Sequence, residues 1–336
     1  MQSLLIRLLR IEGAPISLAL ALAVIVFSSL NSAFLSLDNL AIIAVQSIFV
    51  MIIAIGMSFV LTSGAIDLSV GAVLGLSGGV TMFLLTMSIP TALAIIGGLM
   101  VGTAFGLLNG FLITRLGLSD FIVTLSTMGI AGGLLKILAY IRPLRGAETD
   151  SFTWLSYGEI ASIPFPIVFG FLLVITCTLL LNATVFGREV QASGMSSAGA
   201  TFAGIDVKNV RLIVFALSGF LAAVSGILLA ARLASVQPAL GTGYELQAIA
   251  AAVLGGTSLA GGRGTIIGTA MAALLLATLN TGLQIAGVDP TWYPVFVGAS
   301  ILGAVAFHQW SESYVEVYDL GASDVANSDI SPSSSV

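Results

Sequence analysis

Between residues 15 and 309 the chain runs repeatedly through long stretches with almost no charge, as in LALALAVIVFSSL over 18–30. A helix needs roughly 20 mainly apolar residues to cross about 30 Å of hydrocarbon. Such runs fall at 15–34, 40–62, 68–88, 91–114, 119–140, 163–185, 210–231, 244–260, 264–286 and 291–309. In lipid every backbone N–H and C=O must find its partner inside the protein, so unbroken apolar runs of this length read as helices. Strands of a barrel would instead alternate in segments of about ten residues. The expectation is an all-α integral membrane protein with about ten transmembrane helices. The eighth run is short for a full crossing and rich in glycine, so it is the least regular of them.

Composition closes off the other classes. Only 8% of the 336 residues are charged and 57% are hydrophobic, against about 25% charged in soluble domains. Eleven basic and sixteen acidic side chains are too few to clothe a water-soluble enzyme of this size, and a disordered chain would be charge-rich and apolar-poor. A net charge of −5 speaks against a nucleic-acid binder. Cys177 is the only cysteine and His308 the only histidine. A disulfide within the chain, a CxxC pair and a zinc cluster are therefore excluded, and no metal site is expected.

Lysine and arginine accumulate in cytoplasmic loops. With the N-terminus inside, the cytoplasmic side receives Arg7, Arg10, Arg115, Arg188, Lys208, Arg211 and Arg263, and the other side receives Lys136, Arg142, Arg145 and Arg232. An even number of crossings puts both termini in the cytoplasm. Arg7 and Arg10 precede the first run without a convincing cleavage site after it, so that run reads as a retained anchor. The chain then divides into a cytoplasmic N-terminus over 1–14, a membrane domain over 15–310, and an acidic, Ser-rich, disordered cytoplasmic tail over 311–336. Outside lipid, only 141–162, 186–209 and the tail have room for structure in water.

Several chemistries are missing. The motif G-x-S-x-G occurs at Gly75–Gly79 around Ser77, but the single histidine lies at the far end of the last run, which leaves the serine without a base. Neither Lys136 nor Lys208 follows a glycine, so no phosphate-binding loop exists and ATP cannot be bound by that route. Ion-coupled transporters display ionisable groups inside the membrane, whereas here the spans are nearly bare. Asp67, in TSGAIDLSVGA, is the exception. An acid is tolerated best at a helix start, so Asp67 reads as an N-terminal cap of the third helix, with lining or gating of a path as the alternative.

Two features remain. Gly98, Gly102, Gly106 and Gly110 recur every four residues and make a smooth stripe for close helix packing within one subunit or across a dimer seam. The inner segment 186–219 carries Arg188, Glu189, Asp206, Lys208 and Arg211 around the small-residue stretch SSAGATFAGI. That stretch suits a short helix ending at Gly204, either a structured loop or an element on which a partner docks.

The runs SGAIDLSVGAVLGLSG, NGFLITRLGLSDFIVTLSTMGIAGGL, ASGMSSAGATFAGI and QPALGTGYELQAIAAAVLGGTSLAGGRGTIIGT resemble, in order, the permease subunits of bacterial ABC importers for monosaccharides, the ribose/xylose/arabinose group. The likeness covers about residues 35–308. It implies a dimer, with a second permease copy or a paralogue, around a central path in the bacterial cytoplasmic (inner) membrane, surrounded by membrane lipid. It also implies two cytoplasmic ABC ATPase subunits, which use ATP and Mg, and an extracytoplasmic sugar-binding protein. This chain would bind no cofactor and no nucleic acid, and would not itself be an enzyme. Carried onto this sequence, the cytoplasmic coupling helix would be Ser196–Gly204, including Ser197, Ala198 and Gly199, with Glu189 and Gly194 beside it. Gly241–Gly264 would form a short helix and turns near the dimer axis. Two positions depart from the family's habit, Ser196 where many relatives have asparagine and Gln247 where an acid is common.

A neutral sugar would meet hydroxyl and amide groups along its path. Candidates are Thr62, Ser63, Asp67, Asn109, Thr124, Ser126, Thr127 and Asn280, although each hydroxyl also has a backbone carbonyl of its own helix within reach. An ion-coupled secondary transporter, a passive channel for a small neutral solute and a purely structural scaffold are the competing readings.

Overall fold

The structure, a computed structural model, describes residues 14–142, 144, 145, 149–299, 302 and 303. The N-terminal segment before residue 14, the tail over 311–336 and His308 lie outside the described residues. In chain order the elements are α1 (Ala14–Leu30), a 3-10 turn (Ser32–Leu35), α2 (Leu37–Thr62), α3 (Val70–Thr86), α4 (Thr91–Thr114), α5 (Asp120–Ile141) and the short α6 (Asp150–Tyr157). A two-stranded antiparallel hairpin follows, β1 (Glu159–Ile160) with β2 (Ile163–Pro164). After it come α7 (Phe165–Ala183), α8 (Val185–Met195), α9 (Ser197–Phe202), α10 (Val207–Leu233), α11 (Tyr244–Leu254) and α12 (Ile266–Ile285). A 3-10 turn at Pro290–Trp292 then leads into a helical stretch over 293–299.

Six of these helices, α2, α4, α5, α7, α10 and α12, are long and apolar enough to cross a membrane. Three shorter apolar helices occupy Ile16–Leu30, Val70–Thr86 and Tyr244–Leu254. Each of the first nine predicted runs thus holds one helix, and the tenth lies partly outside the described residues. The segment over 141–162, one of those with room for structure outside the spans, holds α6 and β1.

The eighth run corrects the expectation of helix over 244–260. Helix α11 stops at Leu254, and its 11 residues span only about 16 Å. Packing stops it: a Cβ on Gly255 would lie 2.3 Å from the Thr269 amide nitrogen, and a Cβ on Gly268 would lie 1.9 Å from the Gly255 carbonyl oxygen. The chain then turns through Gly256, Gly261 and Gly262, all at positive φ. Irregular backbone at such a depth survives only when buried in protein with its polar groups satisfied. Here Thr265 Oγ1 donates to the Gly255 carbonyl at 2.8 Å, and Ser258 N–H donates to the Arg263 carbonyl at 3.0 Å.

Helices α2, α10 and α12 form the interior, each two-thirds buried along its apolar window, whereas α4, α5 and α7 are less than a third buried. Helix α10 packs on α2, α3 and α4, and α12 packs on α1, α2 and α11. Helix α4 shows how the bundle is cemented. Its buried face carries Gly98, Gly102, Gly106 and Gly110, while Leu93, Ile96, Met100, Leu107 and Phe111 point outward. Small residues inside and large apolar residues outside invert the soluble pattern. Lipid wets the large side chains, and close backbone contact supplies the association energy. A Cβ on Gly102 would lie 2.5 Å from the Gly219 carbonyl oxygen of α10, and one on Gly106 would lie 2.3 Å from that of Phe215. Gly98 faces Thr81 and Ile227, and Gly110 faces Leu212. The stripe therefore lies against α3 and α10 of its own chain.

Candidate functional site

Two places concentrate what the chain can do: a projecting helix pair at one end of the bundle and a polar cluster inside it. The projecting pair is α8 and α9. Thr184 caps α8 by accepting from Gly187 N–H at 3.1 Å, and Ser196 caps α9 by accepting from Gly199 N–H at 3.0 Å. Such caps satisfy amides that a helix start leaves free. Helix α8 is anchored through Gly187, Val190 and Ser193, which are buried, and through Gly194, where a Cβ would lie 1.9 Å from the Thr62 carbonyl oxygen. Glu189 is half-buried on the same helix.

Helix α9 is held far more lightly. Only Ala200 is buried, while Ser196, Ser197, Ala198, Gly199 and Thr201 are exposed. The stretch expected to be helical over Ser196–Gly204 is helical over Ser197–Phe202, with Ser196 as cap and Gly204 at φ +85° closing it. Phe202 is 93% exposed and Met195 77%. Both are exposed apolar side chains at the end of the protein where Arg115 bonds to Asn209 and where Asp206 caps α10.

The interior cluster centres on Asp67. It corrects the expectation that Asp67 is the N-cap of the third helix. The cap position belongs to Ser69, whose side chain makes no capping bond. Asp67 instead closes a turn: its Oδ1 accepts from Ser69 N–H at 3.0 Å and from Ser69 Oγ–H at 2.6 Å. Its Oδ2 accepts from Ser218 Oγ–H of α10 at 3.0 Å, and Asn109 Nδ2 donates to Ser69 Oγ at 2.9 Å. A buried carboxylate is tolerated when several donors surround it. The cluster therefore pins α3, α4 and α10 together.

The other candidate path residues lie as follows. Thr62 and Ser63 are fully buried and donate to the carbonyls of Ser58 and Val60, at 2.6 and 2.7 Å. Thr124 and Thr127 are buried and donate to Asp120 and Val123, and Ser126 is exposed and donates to Ile122. Asn280 accepts from Gln284 on its own helix. Thr62, Ser63, Asp67 and Asn109 thus gather around the α2–α3 connection and the wall it packs on, whereas Thr124, Ser126 and Thr127 sit on α5 and Asn280 on α12. Ser77, in the G-x-S-x-G run, is buried with its hydroxyl unpartnered among the described residues. Gly75 and Gly79 flank it because Leu240 and Leu135 press on them. Among the described residues no three metal-ligating side chains gather.

Sequence reasoning did not single out Ser218, nor the bond between Ser58 and Thr269 that ties α2 to α12 at 2.8 Å. The available signal was a serine close to a glycine within an apolar stretch of helix, at Ser218–Gly219 and at Gly56–Ser58, a frequent sign of an interhelical bond in lipid.

A family described as "Branched-chain amino acid transport system / permease component" matches residues 39–305. The ribose import permease protein of Bacillus subtilis (strain 168) is 40% identical over 289 residues, covering 86% of this chain and 90% of that protein. The D-allose transport system permease protein of Escherichia coli (strain K12) is 37% identical, covering 85% and 88%. The L-arabinose transport system permease protein of the same strain is 36% identical, covering 77% and 79%. The fold is similar to that of a metal-chelate type ABC transporter solved in an inward-facing conformation, with a TM-score of 0.52 at 14% identity, covering 88% of this chain and 98% of that one. The chain belongs to this family of membrane-embedded permease components of ABC importers.

Proposed function

We propose that this chain is the permease subunit of an ATP-driven importer for a monosaccharide of the ribose, allose or arabinose kind. The observation that carries this reading is the division of labour between the two places described above. The projecting pair α8–α9 is rigidly based and openly tipped, as a surface for a force-delivering partner must be, and the bundle interior is almost free of ionisable groups. Similarity to ribose, allose and arabinose permeases supplies the substrate class.

In this reading the chain crosses the bacterial inner membrane ten times with both termini in the cytoplasm, counting α11 with the 255–265 turns and the partly described last run as crossings. Ser196–Gly204, with Glu189 and Gly194 at its base, meets a cytoplasmic ABC ATPase that binds ATP and Mg. The opposite end, with α6, the hairpin and Arg232, receives a sugar-binding protein, and a second copy or a paralogue completes the path. Thr62, Ser63, Asp67, Asn109, Thr124, Ser126, Thr127 and Asn280 are the candidate polar groups nearest that path. The hydroxyls among them bond mainly to their own helices, so a sugar passes without a tight resting place, as suits an importer supplied by a separate binding protein.

The test is uptake of radiolabelled D-ribose, D-allose and L-arabinose into proteoliposomes holding this chain with its ATPase and binding protein. Uptake of one of them that requires both partners and ATP is expected. Uptake by the chain alone, collapsed by a proton or sodium ionophore, would replace this reading with ion-coupled transport.

A further inference from the structure

Helix α2 ends at Thr62, and the last carbonyls of a helix need partners from outside it. Three different elements meet them here. Gly262 N–H donates to the Thr62 carbonyl at 2.9 Å. Arg211 Nε of α10 donates to the Ser63 carbonyl at 3.2 Å. Gly194, the second-to-last residue of α8, fits against the same Thr62 carbonyl only because it lacks a Cβ, and a Cβ on Gly194 would also lie 2.5 Å from the Gly262 nitrogen. A Cβ on Gly264 would lie 2.0 Å from Thr62 Oγ1, and one on Gly261 would lie 2.9 Å from the Gly194 carbonyl oxygen.

The chain leaving this point is held just as firmly. Asp120, at the start of α5, accepts from Ile66 N–H at 2.8 Å and attracts the Arg211 guanidinium. One terminal group of that guanidinium would lie 3.4 Å from a Cβ on Gly64. The contacts among Gly194, Thr62, Gly261 and Gly262 run backbone to backbone, with no intervening side chain to change rotamer. Close-packed interiors pass on displacement instead of absorbing it. Helix α8 therefore cannot shift at its Gly194 end without carrying Thr62 and Gly262 with it.

We infer that the α2 terminus, seated between Gly194 and Gly262 and tied by Arg211, is the joint that passes movement of α8–α9 to the 63–69 connection and the 255–265 turns. Arg211 is a positioning residue in this scheme: it reaches neither solute nor nucleotide and acts by fixing the carbonyl of Ser63. The inference rests on the importer reading. Its test therefore begins with the unmodified complex, whose ATP-dependent uptake must be measured first; if none occurs, the importer reading itself has failed.

The variants Arg211→Met, Arg211→Lys and Gly194→Ala are then reconstituted with the ATPase and binding protein, and solute transported per ATP hydrolysed is compared with wild type. The sugar used is whichever of D-ribose, D-allose and L-arabinose the unmodified complex carries. The ratio is expected to fall about tenfold in Arg211→Met while ATP hydrolysis continues in assembled complex, and to recover at least partly in Arg211→Lys, which keeps a donor. Gly194→Ala is expected to lower it as well. A residue that merely stabilised the fold would reduce assembled complex and both rates together, leaving the ratio at its wild-type value. That result overturns the inference. Should Arg211→Met fail to assemble, the ratio in Gly194→Ala decides by the same criterion.

Discussion

Gly102 and Gly106 on α4 and Gly199 and Gly204 around α9 look alike in sequence and have opposite surroundings. On α4 the missing Cβ atoms are filled by the backbone of α10, at 2.5 and 2.3 Å from carbonyl oxygens. Around α9 a Cβ on Gly199 would meet only its own cap, Ser196, no closer than 3.2 Å, and one on Gly204 would meet nothing within 4 Å. The first pair serves helix association within the chain. The second does no packing between helices: Gly204 closes α9 at φ +85°, and Gly199 leaves the exposed face of α9 low.

The sharpest way to break this contrast is Gly102→Leu. Overpacking against a backbone that cannot retreat should cost about 3 kcal/mol, read as loss of folded protein from the membrane fraction and a lowered melting temperature in detergent. Gly262→Val comes next, since it demands positive φ of a β-branched residue and pushes on Met195 at 2.4 Å; a loss of about 2 kcal/mol is expected in the same melt. At the apex the currency of damage should change. Ala198→Leu with Gly199→Leu should leave abundance and melting as in wild type while uptake per ATP falls about tenfold. Wild-type uptake in that variant would remove the docking role from α9. Phe202→Ala should weaken association with the ATPase by about 1–2 kcal/mol, measured as a raised Kd for the detergent-solubilised subunits. Ser126→Ala, which removes only a hydroxyl bonded to its own helix, should change stability and uptake by less than about 0.5 kcal/mol.

The membrane class, the positions of nine helices, the small-residue face of α4 and the extent of the apex helix were all legible, because each leaves a local trace in composition, period or cap residue. What was not legible arises between distant segments. Asp67 looked like a helix cap because an acid precedes a helical run, yet its second oxygen is taken by Ser218, 151 positions away. Nothing local announces that partner. Likewise, glycine enrichment marked 244–260 as irregular, but only the facing backbone of Gly268 and Thr269 fixes Leu254 as the end of α11. Arg211 appeared in sequence as one more charge on the inner side, and its bond to the Ser63 carbonyl depends on how α10 crosses α2.

The interrupted passage from Tyr244 to Thr265 sets that part of the molecule apart mechanically. A continuous helix is a strut of nearly fixed length, and stretching it means breaking its ladder bond by bond. A half-length helix followed by turns at Gly256, Gly261 and Gly262 has no ladder in its second half to break. Its span is therefore set by turns seated against Thr62, Gly194 and Gly268, so its length belongs to its neighbours as much as to its own hydrogen bonds.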